Sequence, residues 1–455
     1  MPFLPKPLLA CFLALGLVAG AGCAAAQPPP APSAPEPAIP GSIPGKKFAA
    51  FLKAFNSGDP EAMRKFIASN YSAAALAQRP PEERAAAYVL IYQGSGGFVL
   101  HQIERSEERE LVALVQGKSI NDWVRITLAV EDDVPYGIPG IQFEYVVPPP
   151  AAATRPRPSD QQIAGEMDRY LARLTDAGLF SGTVIIAKDG RPIFQKACGT
   201  RQRAPGVPVV MDTPFGLASM GKMFTGVSVA QLAQAGKLSF DDPVSKYLPE
   251  APHKLADKIT IHQLLTHTSG LAPFLDGKLF DAHRGARAYS EYLADIFKEP
   301  MVAPPGSKFS YSNGDYVVLA AIVEKLTGDS FPAYLQAHVY GPAGMEHSTL
   351  GTTTAGDMVR FGEALRGHRL LSAENTERLL AGKVSTGDGG RYAYGFEEAR
   401  VNGQRICGHG GGGPGISDRF DLYMDSGYTV VVLSDRDPDV GGRVATKARG
   451  LLTAP

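Results

Sequence analysis

Ser219 and Lys222 stand three residues apart in Phe215-Gly-Leu-Ala-Ser-Met-Gly-Lys-Met-Phe-Thr-Gly226. At the start of a helix this spacing puts both side chains on one face, about a turn apart. The chemistry it suits is nucleophilic catalysis. A serine hydroxyl needs a neighbour to take its proton, and a lysine in apolar surroundings has its ammonium form disfavoured. Leu217, Ala218, Met220, Met223, Phe224, Val227 and Val229 provide such surroundings. A helix N-terminus also points backbone N–H groups at an anion developing on a bound acyl group. The rival reading is a serine that caps its helix and a lysine that reaches solvent.

Two later stretches carry polar groups that could complete such a site. Tyr311-Ser312-Asn313 lies within Pro304-Pro-Gly-Ser-Lys-Phe-Ser-Tyr-Ser-Asn-Gly-Asp315, and His409-Gly-Gly-Gly-Gly-Pro-Gly415 is a glycine run. A tyrosine can shuttle a proton where a cation favours its phenolate, and glycines let substrate approach the backbone closely. Singly, Tyr311 could be a core aromatic, Asn313-Gly314 a turn, the glycines a loop and His409 a solvated histidine. His262, His267 and Ser269 are read as structural, part of a helix and its cap.

The elements that must position these residues begin after two Pro-rich stretches. Residues 1–26 read as a secretory signal: Lys6, the apolar run Leu8 to Ala21, then Ala24-Ala25-Ala26. A rival reading makes Cys23 a lipid-modified first residue. Either way the chain is expected to be exported, periplasmic or secreted. Residues 27–45 read as a Pro/Ala-rich linker. Over 46–148, helical spacing around Phe51, Asp59 to Phe66 and Pro81 to Tyr92 gives way to a period of two in Phe98 to Ile103, Glu110 to Val115, Trp123 to Val130 and Ile141 to Val147. This predicts a small α+β domain with four antiparallel strands. Its element order and Phe51-Leu-Lys-Ala-Phe-Asn-Ser-Gly-Asp59 resemble nuclear-transport-factor-2-like (NTF2-like) domains, which implies an accessory role.

A linker at 149–158 precedes the last domain, 159–455. Ser159 is expected to cap a helix, and Gly182 to Cys198 reads as two strands turned at Asp189-Gly190. Phe420 to Tyr423 and Tyr428 to Leu433 read as strands that join the same sheet from the far end of the chain. The predicted fold is an antiparallel sheet flanked by helices, with an all-helical middle region and the site between the layers.

With 45 Lys+Arg against 46 Asp+Glu and no basic stripe, the chain shows no nucleic-acid footprint. Of 4 cysteines, Cys198 and Cys407 fall in the last domain, where they could pair or be buried singly. No metal-ligand spacing appears and no cofactor is expected.

Ser219-Met-Gly-Lys222, Tyr311-Ser312-Asn313 and His409-Gly410-Gly411, in this order, with Ile259 to Leu271 between the first two, resemble the serine β-lactamase and penicillin-binding-protein family, class C type, with its esterase and D-aminopeptidase relatives. The resemblance spans roughly Gln161 to Leu452. It implies that Ser219 forms an acyl-enzyme, that Lys222 or Tyr311 is the base, and that Tyr311 shuttles the proton. It further implies that Asn313 donates to the substrate and that the backbone N–H groups of Ser219 and Gly412 form the oxyanion hole. Where β-lactamases carry Lys-Thr-Gly, this chain has His409-Gly410-Gly411, and a neutral imidazole offers a carboxylate only a hydrogen bond. The expected substrates are therefore small esters, or amides and peptides lacking that carboxylate. The alternatives are a penicillin-binding D-Ala carboxypeptidase or β-lactamase, and a non-catalytic envelope protein that binds through the same cleft.

Overall fold

The computed structural model describes residues 37–149, 157–202, 206–273, 289–387 and 389–454. The stretch 1–26, read above as a secretory signal, lies with Cys23 outside the described residues. The linker expected through residue 45 ends earlier, because Ser42 already caps a helix, Ile43–Asn56, by accepting from the Gly45 N–H at 3.3 Å, and Ile39 packs on the core beneath. Three more helices follow: Pro60–Asn70, capped by Asp59, then Ala73–Gln78 and Pro81–Ser95. The second of these was not anticipated, since six residues show too little of a 3.6-residue period. The helices cover one face of an antiparallel meander: β1 (Phe98–Ser106), β2 (Glu110–Gly117), β3 (Trp123–Ala129) and β4 (Ile141–Val146). Phe51 sits at the centre of this core, ringed by Phe55, Phe66, Tyr88 and Phe143.

The second unit is built on an eight-stranded sheet. Its strands are β5 (Gly182–Lys188), β6 (Arg191–Cys198), β9 (Val384–Ser385), β10 (Arg391–Tyr392), β11 (Glu397–Val401), β12 (Gln404–Gly413), β13 (Ile416–Tyr423) and β14 (Tyr428–Ser434). They lie in the order β6-β5-β14-β13-β12-β11-β10-β9, so the two ends of the domain meet where β14 pairs antiparallel with β5. Asp189 and Gly190 both take positive φ, 48° and 75°, the left-handed pair that a two-residue hairpin turn requires.

Both faces of the sheet are covered, so its central strands read as unbroken apolar runs with each residue assigned a side by the pleat. Val184, Ile186, Val430 and Val432 face the helices Asp160–Asp176 and Val440–Leu452. Ile185, Ala187, Val431 and Leu433 face the helical region. Cys198 and Cys407 belong to these opposite cores, and both are free thiols. The first domain docks on the terminal helix. Arg443 donates to Asp122 at 2.6 Å and to the Gly94 carbonyl at 3.3 Å, and its guanidinium covers the Tyr145 ring.

Candidate active site

A short pair, β7 (Phe215–Gly216) with β8 (Thr352–Thr353), delivers the chain to the nucleophile turn. Ala218 then takes φ 40°, a left-handed conformation costly for a residue with a Cβ, which swings Ser219 out at a sharp corner. Ala218–Met220 form one 3-10 turn and the helix proper runs Gly221–Gln234, so Ser219 lies just ahead of the helix and Lys222 in its first turn. This helix is buried on all sides, which explains its lack of an amphipathic stripe. Gly226 is required by packing: a Cβ there would lie 2.1 Å from the Tyr394 carbonyl oxygen. Gly395, at φ 82°, likewise lets its backbone sit against the Lys222 carbonyl, 2.4 Å from where a Cβ would stand. Those two close approaches bring Tyr392 to Tyr394 against the nucleophile helix.

Lys222 Nζ lies 3.2 Å from Ser219 Oγ and 2.6 Å from Asn313 Oδ1. Only 8% of Lys222 is exposed, and this burial lowers its pKa to about 7, against a partial opposing pull from Asp315. A neutral amine is therefore well populated at physiological pH. Because Lys222 donates to Oδ1, the Asn313 amide nitrogen is left to donate elsewhere. Tyr311-Ser312-Asn313 enters its helix, Asn313–Thr327, in extended conformation, with Ser312 at φ −134°, ψ 124°. Alternation then sends Tyr311 and Asn313 to the site, while Ser312 turns inward and donates to the Ala272 carbonyl at 2.8 Å. The Lys222 nitrogen sits 4.8 Å from the centre of the Tyr311 ring. Burial pushes the Tyr311 hydroxyl well above its ordinary pKa; its hydrogen bond with Ser219 works the other way. Tyr311 is thus a neutral proton donor at rest rather than a phenolate, and Lys222 is the group fitted to accept the Ser219 proton.

The glycine run is not a loop. His409 to Gly413 continue β12 and pair with Phe420 to Ile416 of β13, whereas pairing with β11 ends at Gly408 and Glu397. The strand edge beyond Gly408 therefore faces the Ser219 turn, close enough that a Cβ on Gly411 would lie 2.6 Å from the Leu217 carbonyl oxygen. An open edge of this kind presents backbone N–H and C=O groups to an extended acyl group. His409 is buried at 2% exposure, and desolvation lowers its pKa to about 4 although Glu397 pulls the other way. It is a neutral imidazole where a cation would otherwise stand.

The structure thus brings Ser219, Lys222, Tyr311, Asn313 and His409 to Gly412 together. It also corrects the reading of His267 and Ser269. Thr260, not either of them, caps the helix Ile261–Leu265. His267 and Ser269 are instead buried beneath Tyr311, with the two ring centres of His267 and Tyr311 4.2 Å apart. Ser269 donates to Asp315 Oδ1 at 2.6 Å, and the other Asp315 oxygen lies 3.1 Å from His267 Nδ1. Tyr392 completes this layer, and nothing near it in the sequence marks it, because its partners lie at distant chain positions. Among the described residues no group of three His, Cys, Asp or Glu side chains could hold a metal ion.

Residues 167–356 match the family model described as Beta-lactamase. Penicillin-binding protein 4* of Bacillus subtilis (strain 168) is 26% identical over 318 residues, covering 57% of this chain and 69% of that protein. Esterase EstB of Burkholderia gladioli is 35% identical over 198 residues, covering 40% of this chain and 50% of the esterase, so the chain spans about half the length of that relative. Among solved structures, the penicillin binding protein from Bacillus halodurans aligns with a TM-score of 0.54 at 28% identity, covering 64% of this chain and 98% of that one. With the sheet topology and the order of the site motifs, these likenesses show a β-lactamase-like fold, in which residues 167–356 match the Beta-lactamase family model and the chain is similar to penicillin-binding proteins and to an esterase.

Proposed function

We propose that this chain is an exported serine hydrolase that cleaves small esters, or amides and peptides lacking a free carboxylate, through an acyl-enzyme on Ser219. The observation that carries the reading is Lys222 Nζ, buried and 3.2 Å from Ser219 Oγ, with its pKa brought down to about 7. As Ser219 Oγ bonds to the substrate carbonyl carbon, its proton passes to the neutral Lys222 amine. Asn313 and the edge of β12 hold the acyl group, and the Ser219 N–H with that of Gly412 receives the developing oxyanion. When the carbonyl re-forms, the bond to the alcohol or amine breaks. That leaving group takes a proton from the Tyr311 hydroxyl, which Lys222 resupplies. Water then attacks the acyl carbon, gives its proton to the same pair, and releases the acid with Ser219 restored.

The preference for substrates without a carboxylate rests on His409, whose imidazole is neutral and buried. Export rests on the signal-like character of residues 1–26, and the first domain is read as an accessory module. The test is the intact mass of the purified protein after mixing with a short-chain activated ester, and separately with a penicillin, with Ser219→Ala as control. The expected result is a transient acyl adduct from the ester, lost on turnover and absent in Ser219→Ala. A long-lived penicillin adduct would replace this reading with a penicillin-binding peptidase. No adduct from either, in folded protein, would replace it with a binding role for the cleft.

A further inference from the structure

Behind Tyr311 a buried line of side chains runs from Asp315 to His409, and none of its members touches Ser219. Asp315 Oδ2 lies 3.1 Å from His267 Nδ1, His267 Nε2 lies 3.3 Å from the Tyr392 hydroxyl, and that hydroxyl lies 3.0 Å from His409 Nε2. His409 Nδ1 ends the line, 2.6 Å from the Gly410 carbonyl oxygen. His267 and Asp315 are wholly buried, and Tyr392 is 1% exposed.

The two backbone groups at the ends fix the proton on His409 Nδ1 and the lone pair on His267 Nδ1, and burial, which disfavours a second proton on His409, places the rest. A carbonyl oxygen only accepts, so His409 Nδ1 carries a proton and its Nε2, in the neutral ring, accepts from Tyr392. The Tyr392 hydroxyl has one hydrogen, for His409 Nε2 or for the oxygen of its other neighbour, Tyr316, whose own hydrogen goes to the Leu265 carbonyl at 2.8 Å, so toward His267 its oxygen accepts from Nε2–H. His267 Nδ1 is then an acceptor, and the Ser312 backbone N–H does donate to it at 3.2 Å. Asp315 Oδ2, facing the same lone pair, must carry a hydrogen, and it shares that acceptor with the Ser312 amide. The opposite order fails at Ser312, where a proton on His267 Nδ1 would confront a second donor.

We propose that Tyr392 is a positioning residue: with Asp315 and His267 it forms a one-way chain of hydrogen-bond donors that holds His409 uncharged, its proton on Nδ1 and clamped to Gly410. The free edge of β12 opposite Ser219 is then a neutral wall. Burial is consistent with this at each step: it pushes the Asp315 carboxyl up and both imidazoles down. Lys222, Tyr311 and Tyr316 face His267, while Glu397, Arg419 and Lys222 act on His409. The proton placement stands without the hydrolase reading, whereas its consequence for substrate charge rests on that reading.

The experiment is long-range 1H–15N correlation on full-length protein labelled with 15N-histidine, from pH 5 to 8, for wild type and Tyr392→Phe, with His409→Asn to assign the signals. The expected wild-type spectrum has His267 protonated on Nε2 and His409 on Nδ1, neither titrating in this range. In Tyr392→Phe the His409 Nε2 resonance moves and its protonation midpoint rises. At pH 5 the same variant shifts its kcat/KM ratio several-fold toward an ester bearing a carboxylate over its neutral analogue. A wild-type His409 protonated on Nε2 or charged at pH 7 overturns the proposal, as does an unmoved Nε2 resonance in Tyr392→Phe. If that variant does not fold, the wild-type spectrum decides alone. A protein that turns over neither ester defeats the hydrolase reading and leaves the spectra to judge the chain.

Discussion

Lys222 Nζ lies 2.6 Å from Asn313 Oδ1, joining the nucleophile helix to the first turn of a helix 91 positions further along the chain. The same amine reaches Ser219 Oγ at 3.2 Å, so Asn313 holds it at the nucleophile. A buried amine held in this way is a strained arrangement that the surrounding core must support.

Replacing Lys222 with methionine removes that burden along with the base. Folding lowers the pKa from 10.5 to about 7, so between these values the unfolded chain binds more protons than the folded one, and stability rises with pH across that window. Lys222→Met should therefore match or exceed the wild-type melting temperature at pH 7, with the gap closing toward pH 10. Activity should fall by about 10³-fold or more. A melting temperature well below wild type at pH 7 would contradict the placement of a burdened lysine here.

The pH dependence of acylation follows from the same group. The base acts when neutral, so kcat/KM for a neutral ester should climb roughly tenfold per pH unit below a midpoint near 7 and level off above it. His409, at about 4, stays neutral through this range. Stopped-flow acylation rates from pH 5 to 9 provide the check, and a profile flat through 7 would remove Lys222 as the base.

His409→Lys places a cation at the edge of β12 beside Glu397, whose pull on His409 already favours positive charge at that position. Acylation by a penicillin or a carboxylate-bearing ester should gain about tenfold relative to a neutral ester. Paired substrates in competition measure this directly. An unchanged ratio would mean that the substrate carboxylate does not reach this strand.

Asp122→Ala leaves Arg443 buried without its partner between the two domains. The ion pair is 7% and 10% exposed at its two side chains. Stability should drop by about 3–5 kcal/mol in urea unfolding. Turnover of the remaining folded protein should stay within about twofold of wild type, because neither residue approaches the Ser219 pocket. A loss of kcat with unchanged stability would show instead that the first domain shapes the site.

Much of this protein was written locally. The spacing of Ser219 and Lys222, the Asp189-Gly190 turn, the four strands of the first sheet, strands β5, β6, β13 and β14 of the second, though not β9 to β12, and the Ser159 cap depend on neighbours within a few residues, and such patterns survive in a linear string. So did the order of the three site motifs and the neutral residue at 409. What the string could not hold was distance. Tyr392 meets His267 and His409 only because Gly226 and Gly395 let two backbone segments press together. The glycine run reads as flexible in sequence, yet β13 pairs it into a rigid strand edge. His267 and Ser269 looked like parts of a helix cap, since burial beside Asp315 is a property of the folded core. Above all, a lysine's pKa depends on which water is excluded from it, and only the packed structure decided that burial brings Lys222 down to about 7.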